Sequence, residues 1–315
     1  MPATKRLLFS LRPMDAVSIL FLLLLSLANL VFSTRVSEWW LLILLDLGMG
    51  SGILYIVYVS TARPNAFLDF LCDWYPAPVT LVVFKELYLM VHPINPHDYD
   101  AVFIVIDRWI FGVDPTRWLE QWTSPVLTEV MQFSYAMFYF LFLIVGMELC
   151  KKARMEEFQY GMFLVLYGFY LSYVVYFIFP AVGPRFTLHV FGETNTDLPG
   201  LFLTNALREI VNTAESIPRN AANPVDFAQR DLFPSGHTQL TLVVMLLAYQ
   251  FRLKSRRVVL VIGILLIFST VYLRYHYVAD VIAGFFFMLI TIWTGPRLFR
   301  WWNGKRESFR PVASE

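Results

Sequence analysis

The stretch FPSGHT, Phe233 to Thr238, marks the point where a polar loop meets a strongly apolar run. Pro234 suits the first turn of a helix, and Ser235 and Thr238 can cap that turn. The first N–H groups of a helix and the positive end of its dipole favour a bound anion such as phosphate, and His237 adds a proton donor beside them. Taken alone, these residues fit either an anion site with a histidine or a plain loop-to-helix junction, so the rest of the chain has to decide between the two.

The composition indicates an integral membrane protein. Of the 315 residues, 57% are hydrophobic, and the mean hydropathy is +0.57. Soluble domains usually contain about 45–50% apolar residues. The net charge of +1 gives no basic excess that would indicate a nucleic-acid partner. Two cysteines, Cys72 and Cys150, fit no metal or disulfide framework and are expected to be buried packing residues.

Apolar runs of about 20 residues, the length that crosses a bilayer as a helix, recur along the chain. We count eight, and Lys85 and Glu86 interrupt the third. The eight runs lie near 15–33, 39–60, 74–91, 126–149, 158–180, 237–252, 258–276 and 278–299. The pattern predicts an all-α polytopic membrane protein with about eight transmembrane helices.

The positions of Lys and Arg predict the orientation of these helices, because basic residues concentrate on the cytoplasmic side. With the N-terminus inside, sixteen Lys and Arg residues fall in inner segments and eight, all of them arginine, fall in outer segments. We therefore expect a multi-pass protein of the cell (plasma) membrane with both termini in the cytoplasm. The first apolar run follows Lys5, Arg6 and Arg12, but no signal-cleavage pattern comes after it, so we interpret it as a retained span.

Two long segments fall on the outer side. Residues 92–125 mix apolar, charged and tryptophan residues and predict helices at the membrane interface. Residues 181–236 are richer in Asn, Pro and charge and predict a long loop with one short helix near 203–213. We divide the chain into N-terminal transmembrane helices, outer interfacial helices, a catalytic membrane helix bundle with the outer loop, and a cytoplasmic tail. The corresponding boundaries are 1–94, 95–125, 126–299 and 300–315.

The second informative stretch is LRYHYVADVIAG, Leu273 to Gly284, at the outer end of the seventh run. If this segment is helical, His276 and Asp280 share a face, and the carboxylate can accept a hydrogen bond from one imidazole nitrogen. The other nitrogen is then free to act as a nucleophile, beside the positive charge of Arg274. A structural pair at a helix end is the alternative.

The predicted topology brings the polar stretches together. His237 begins the sixth run and His276 ends the seventh, so both lie at the outer surface of neighbouring antiparallel helices. AVGPRF, residues 181–186, follows the fifth run and brings Arg185 to the same level. Three consecutive runs therefore direct their polar ends to one place, which favours a catalytic site in the C-terminal half of the chain.

These residues resemble the superfamily of membrane-bound type 2 phosphatidic acid phosphatases and vanadium haloperoxidases. The second motif of that superfamily, PSGH, is matched by Pro234 to His237. Its third motif, S-R-x5-H-x3-D, is matched by Ser269 to Asp280 at the serine, the histidine and the aspartate. Thr270 stands where the superfamily has arginine, and Arg274 lies two residues before His276.

The first motif, K-x6-R-P, has two candidate counterparts. Lys85 to Pro93 has the spacing but carries His92 in place of arginine, whereas Gly183 to Arg185 lies directly before the PSGH loop and is our first choice. The GPR and RYHY variants, with a D-x6-D-x4-G element, resemble the branch that includes inositol phosphorylceramide synthase. That element consists of Asp100, Asp107 and Gly112.

The resemblance implies a metal-independent reaction through a phosphohistidine intermediate. By position, His276 would attack phosphorus, Asp280 would orient and charge it, and His237 would protonate the leaving oxygen. The groups that would hold the phosphoryl oxygens are Arg185, Arg274, Ser235 and the backbone of Gly236. Lys85 and His92 remain the alternative for the first motif. No cofactor is implied.

Hydrolysis and transfer would use the same catalytic residues, because water and an alcohol can both attack the intermediate. We expect a phosphatase that acts on a lipid phosphate at the outer membrane face. The alternative is a phospho-head-group transferase of the inositol phosphorylceramide synthase type, with inositol or a lipid hydroxyl as acceptor. An acceptor would contact polar side chains of the outer segments, and the alternative is that these side chains are solvated loop charges. The side chains concerned are Arg208, Arg219, Asp226, Arg230 and Asp231.

Two other classes of protein fit some of the residues. His237, His276 and Asp280 have the two-histidine, one-carboxylate composition of a non-haem iron site. A transporter would use charged residues inside the membrane as pathway residues, and the candidates are Asp46, Lys85, Glu86 and Glu148. The PSGH context disfavours the iron site, and the sequence contains no internal repeat of the kind that many transporters show.

Overall fold

The computed structural model describes residues 10–219 and 221–307, and every regular element in these ranges is a helix, as predicted. The N-terminal helices are α1 (Pro13–Val31), α2 (Trp39–Ala62), α3 (Ala66–Trp74) and α4 (Pro76–Ile94). The first outer segment contains α5 (Asp100–Phe111), the short α6 (Pro115–Trp118) and a 3-10 turn (Leu119–Trp122).

The C-terminal part begins with α7 (Pro125–Ala136), α8 (Phe138–Leu149) and α9 (Met155–Tyr176). The second outer segment then contains α10 (Pro184–Thr187), α11 (Thr194–Asp197) and α12 (Thr204–Ala214), the last being the short helix predicted near 203–213. The chain continues with α13 (Gly236–Gln250), α14 (Arg256–Tyr272) and α15 (Val278–Glu307). Further 3-10 turns are Lys152–Arg154, Phe191–Glu193 and Pro224–Phe227.

Fewer helices than predicted have the length and composition of a membrane span. Within the described residues five helical segments qualify, and a sixth span is added if α7 and α8, which meet at an angle of 50°, are counted together. The predicted number of eight is therefore not confirmed. The two other predicted spans correspond to α13 and α14, which are shorter, with 15 and 17 residues. Helix α13 begins at Gly236, one residue before His237, and α14 ends at Tyr272, four residues before His276.

A bundle of α9, α13, α14 and α15 forms the centre of the C-terminal half. Helix α13 packs against the other three, and apolar side chains fill the space between them. Leu240, Val244 and Leu247 on α13 are each at most 2% exposed. This packing fixes the direction of α13, whose first turn carries His237.

The N-terminal helices attach to this bundle through α1. The ring of Phe21 stacks on Tyr170 of α9 at 4.3 Å, and the Tyr170 hydroxyl lies 3.1 Å from Ser18 Oγ. Just before the start of α1, the Leu11 carbonyl oxygen accepts a hydrogen bond from the indole N–H of Trp302 on α15 at 2.8 Å. The two described ends of the chain therefore lie on the same side of the bundle.

Polar side chains inside the N-terminal helices bind one another. Asn29 Nδ2 donates to Glu86 Oε1 at 3.0 Å, and Ser26 Oγ donates to Asp46 Oδ2 at 3.0 Å. Asn29, Glu86 and Asp46 are each at most 2% exposed. Hydrogen bonds of this kind join helices where water is absent, so these residues link α1 with α2 and α4.

The ends of the chain refine the predicted boundaries. Helix α15 continues to Glu307, so the first half of the predicted tail, 300–315, is helical. Residues 1–9, which carry Lys5 and Arg6, and residues 308–315, which carry Arg310, lie outside the described residues. In the first outer segment, α5 exposes apolar side chains, among them Trp109 with 84% of its surface exposed, as expected for a helix at an interface.

Candidate active site

His276 lies in the connection between α14 and α15, and Asp280 lies in the first turn of α15. Arg274 has a positive φ of 67°, and the helix ends before the histidine, so His276 and Asp280 do not share one continuous helix. His276 Nδ1 nevertheless lies 2.8 Å from Asp280 Oδ2. The fully buried carboxylate can accept a hydrogen bond from Nδ1–H, and in that tautomer Nε2 has a free lone pair.

His237 faces His276 from the start of α13. The distance from His237 Nδ1 to His276 Nε2 is 3.3 Å. The His237 ring packs between Tyr135 at 4.7 Å and Phe138 at 4.4 Å, the two aromatic residues on either side of the α7–α8 bend. The bend thus contributes to the position of His237, and the two imidazoles meet as the predicted topology requires.

The loop that carries Arg185 is held by the carboxylate of Asp100 on α5. The N–H groups of Val182 and Gly183 donate to Asp100 at 3.0 Å and 2.8 Å, and the Tyr277 hydroxyl donates at 2.9 Å. Gly183 has φ of 101°, and a Cβ there would lie 2.7 Å from the Tyr275 carbonyl oxygen. Only glycine fits both the left-handed backbone and this close approach.

Arg185 is 6% exposed, and its guanidinium is fixed on several sides. It stacks over the rings of Phe186 at 4.7 Å and Tyr275 at 4.8 Å, and it forms an ion pair with Glu215. Burial lowers the pKa of the Arg185 guanidinium. Arg185 Nε has no hydrogen-bond partner within the described part of the chain, so this donor remains available to a ligand.

A second carboxylate of α5 fixes the start of α15. Asp107 accepts hydrogen bonds from the N–H groups of Val278 at 2.9 Å and Ala279 at 2.7 Å. Because Asp280 follows directly, Asp107 sets the position of the residue that orients His276. Gly112 ends α5 with φ of 74°. The D-x6-D-x4-G element therefore supports the site from outside without entering it.

The two histidines and Arg185 line one cavity of about 60 Å³, here called the histidine pocket. Gly236 also lines it. Other charged or polar residues around it are Glu215, Gln229 and Asp231, and its aromatic walls include Tyr135, Phe138, Tyr139, Phe169, Tyr173 and Tyr176. The structure thus brings together four of the residues expected from the sequence, with Asp280 directly behind His276.

Ser235 was expected to contact phosphate, but its side chain is turned into the protein. Its Oγ accepts a hydrogen bond from the Thr238 N–H at 3.2 Å and caps α13, and the residue is fully buried. Its own N–H donates to the Asp280 carbonyl oxygen at 3.1 Å. Ser235 therefore joins the PSGH loop to α15 and does not line the histidine pocket.

Arg274 was also expected to contact phosphate, and the structure directs its side chain elsewhere. The guanidinium is 1% exposed and forms ion pairs with Asp197 at 2.6 Å and Glu120 at 3.1 Å. The left-handed backbone at this residue turns the side chain away from His276. Arg274 joins the two outer segments, and its backbone carbonyl accepts the Arg185 N–H at 3.0 Å.

Lys85 and His92, the alternative for the first motif, do not line the histidine pocket. Lys85 Nζ lies 2.9 Å from Ser216 Oγ and also contacts the Ala214 carbonyl oxygen. His92 is exposed and lines a separate cavity with Arg230. Of the two candidates, Arg185 is the one beside the histidines.

Asp231 and Glu215 are the acidic residues of the pocket that the sequence analysis did not assign to catalysis. Burial raises the pKa of the Asp231 carboxyl, and the neighbouring His276 and Arg185 side chains act in the opposite direction. The position of Asp231 four residues before Ser235, in the loop that leads to PSGH, is the one signal in the sequence that could have indicated it.

Within the described ranges, no group of three or more His, Cys, Asp and Glu residues is arranged to hold a metal ion. His276 Nδ1 and Asp280 Oδ2 point at each other across 2.8 Å and not at a common point. A non-haem iron site composed of His237, His276 and Asp280 does not fit this arrangement.

Comparison with known proteins points to one family. A family model described as "PAP2 superfamily" matches residues 102–294, which include every residue of the histidine pocket except Phe84. The chain is also similar to a "PA-phosphatase related-family protein" of Dictyostelium discoideum, with 25% identity over 223 residues. That alignment covers 64% of this chain but 37% of the relative, so the chain spans well under half of the relative's length. No solved structure matches the chain.

Proposed function

Because this chain belongs to the PAP2 superfamily, we propose that it is a metal-independent phosphatase that acts on a lipid phosphate through His276 as nucleophile. One observation carries the proposal. Asp280, His276 and His237 form a line of contacts at 2.8 Å and 3.3 Å, and the line ends in a pocket with a buried arginine. An oriented imidazole, a second imidazole and a fixed cation are the parts that phosphoryl transfer through a histidine requires.

In the first step, His276 Nε2 attacks phosphorus. A phosphorus–nitrogen bond forms, the bond from phosphorus to the lipid oxygen breaks, and His237 gives a proton to the leaving oxygen. Asp280 balances the positive charge that develops on His276. Arg185 and the Gly236 N–H bind the phosphoryl oxygens, whose charge rises toward the transition state.

In the second step, water attacks the phosphohistidine. His237, now neutral, takes a proton from that water, the phosphorus–nitrogen bond breaks, and inorganic phosphate leaves. The proton returns to the position from which the first step took it, so the enzyme regains its starting state.

A large apolar cavity supports a lipid as the substrate. It has a volume of about 310 Å³ and shares Tyr139 and Phe169 with the histidine pocket. Its walls come from α3, α4, α8, α9 and α13 and are apolar apart from Thr80 and the Tyr139 hydroxyl. Leu81 and Leu143 of this wall are 47% and 40% exposed, so the cavity reaches the surface that faces lipid. A hydrocarbon chain can lie there while its phosphate reaches His276.

We extend the proposal to the membrane arrangement. Eight spans, with α13 and α14 as short ones, give an even number of crossings, and the contact between Trp302 and Leu11 supports termini on one side. The excess of Lys and Arg in the inner segments supports a cytoplasmic location for that side. The histidine pocket then faces the extracytoplasmic side of the cell membrane.

The proposal is tested by measuring phosphate release from phosphatidate and from an isoprenoid phosphate by purified full-length protein in detergent. His276→Ala is expected to lower kcat by about 10³-fold or more, since no other group supplies the nucleophile. His97→Ala changes an exposed histidine and is the matched control. Equal rates for wild type and His276→Ala would contradict the proposal.

A transferase of the inositol phosphorylceramide synthase type is the second candidate, and a polar cavity beside the histidine pocket favours it. This cavity, of about 160 Å³, shares Arg185 and Tyr275 with the pocket and has no lining residue in common with the apolar cavity. A polar acceptor or head group can reach His276 from this side. Adding inositol or ceramide to the assay separates the two, because a transferase would form a new lipid and release less free phosphate.

A further inference from the structure

The polar cavity beside the histidine pocket is lined by an unusual number of arginines, and we call it the arginine cavity. It separates from the histidine pocket at Arg185 and Tyr275, which line both. Its other charged or polar lining residues are Thr194, Asn195, Arg208, Glu209, Asn212 and Arg219. Three arginines face one carboxylate within this lining, so the cavity is positively charged.

Arg208 has no counter-charge, although only 5% of its surface is exposed. Its guanidinium donates to the Leu198 carbonyl oxygen at 3.1 Å, to the Thr194 carbonyl oxygen at 3.5 Å and to the Asn195 side chain. These acceptors are all neutral, and no carboxylate of the described residues forms an ion pair with it. A buried charge without a partner of opposite sign is destabilising, which favours a site completed by an anion.

The neighbouring arginines differ from Arg208 in this respect, because each of them has a carboxylate partner. The pairs are Arg185–Glu215, Arg219–Glu209 and Arg274–Asp197. Arg208 is therefore the one of these four arginines that lacks a carboxylate partner. Because it is buried, the interpretation of Arg208 as a solvated loop charge is wrong.

The position of Arg208 is fixed by the fold. Its helix, α12, begins at Thr204, where the carboxylate of Glu129 on α7 accepts four backbone N–H groups and a hydroxyl. Thr204 is 1% exposed. An arginine on a helix anchored in this way keeps its direction without a ligand, as preorganised binding sites require.

A second free donor points to the same kind of ligand. Arg185 Nε is buried and has no hydrogen-bond partner within residues 10–219 and 221–307. Arg185 lines both cavities, so this unpaired donor belongs to a residue that the two cavities share. A guanidinium fork binds phosphate oxygens well, since its N–H groups match their spacing.

We propose that the arginine cavity is a second anion site, which binds a phosphate group other than the one that His276 attacks. The proposal rests on the proposed function, because the chemistry at His276 makes phosphate the anion that this region meets. Two sources have the same chemistry: a further phosphate in the head group of the substrate, or inorganic phosphate that has left the histidine pocket.

Two measurements on the full-length protein in detergent test the proposal and distinguish the sources. Equilibrium dialysis with radiolabelled inorganic phosphate counts the bound anions. If free phosphate is the ligand, wild type binds a second phosphate per chain, and Arg208→Met loses it. If the substrate supplies the group, wild type prefers a lipid diphosphate to the matching monophosphate by about 10- to 100-fold in kcat/KM, the effect of one charge-assisted contact. Arg208→Met then loses the preference.

Arg257→Met is the matched control, because Arg257 is exposed at the far end of α14. Arg208→Lys keeps the charge but not the fork and should retain part of the effect if the methionine variant fails to fold. The proposal is overturned if wild type binds one phosphate and treats the two lipids alike. Phosphate dialysis does not depend on turnover, so a failure of the proposed function at His276 would be seen separately.

Discussion

Replacing Asp100 with asparagine should loosen the loops that carry Arg185 and His276 without changing a residue that lines the histidine pocket. Asp100 is 4% exposed, and its carboxylate accepts hydrogen bonds from Val182, Gly183 and Tyr277. It therefore ties the loop that carries Arg185 to the residue that follows His276. The substitution removes the charge and one acceptor but keeps the size of the side chain.

The expected loss of stability follows from these contacts. If the amide oxygen takes the place of Oδ1, it keeps the bonds to Gly183 and Tyr277, and the Val182 N–H then faces an NH2 group. Losing one bond to a charged acceptor costs about 1.5–3 kcal/mol, and weakening two others adds about 1 kcal/mol. Burial raises the pKa of the Asp100 carboxyl, because the buried charge is unfavourable. Replacing that charge with a neutral amide therefore offsets part of the lost stability. We expect a net loss of about 2–4 kcal/mol.

The assay combines thermal unfolding in detergent with kcat/KM on a lipid phosphate. A shift of about 1 Å in a catalytic group can cost roughly 10²-fold in rate, so kcat/KM should fall by about 10- to 100-fold. Asp69→Asn is the control, because Asp69 is exposed and its carboxylate accepts one hydrogen bond, from Ser60 Oγ at 3.3 Å; it should cost less than about 1 kcal/mol. The reasoning is refuted if Asp100→Asn is as stable and as active as Asp69→Asn.

Three further predictions follow from the same geometry. Gly183→Ala would bring a Cβ to 2.7 Å from the Tyr275 carbonyl oxygen. It should lower kcat/KM by about 10-fold or more, and it should also lower the unfolding midpoint. Unchanged values in both assays would count against the role of this loop in positioning Arg185. Burial raises the pKa of Asp231, and its ionisation adds a negative charge that repels phosphate; KM should rise with pH as Asp231 ionises in wild type, and this rise should be absent from Asp231→Asn. Leu143→Trp should slow long-chain lipid phosphates by about 10-fold relative to short-chain ones by filling the apolar cavity. The equally exposed Leu246→Trp, outside that cavity, should not.

The membrane class and the approach of His237, His276 and Arg185 could be predicted from the sequence, because both depend on local patterns. Apolar runs indicate the helices, and short connections between consecutive runs bring their polar ends to one side. His237, His276 and Arg185 are each adjacent in sequence to an apolar run, so their approach follows from the order of the helices.

The supporting contacts could not be predicted, because they depend on backbone geometry and on distant segments. Arg274 lies two residues from His276, yet its left-handed backbone turns the guanidinium toward Asp197. Asp107 caps a helix that begins 171 residues later in the chain. A spacing pattern contains no information on either point, and the same is true of the missing counter-charge at Arg208.

The most direct test of the central claim is to trap and locate the phosphoryl intermediate. Full-length protein is mixed with radiolabelled phosphatidate or isoprenoid phosphate, quenched, and digested under alkaline conditions that preserve phosphohistidine. We predict label on the peptide that contains His276, absent from His276→Gln. Label on any other residue, or lipid phosphate turnover by His276→Gln at the wild-type rate, would contradict the account.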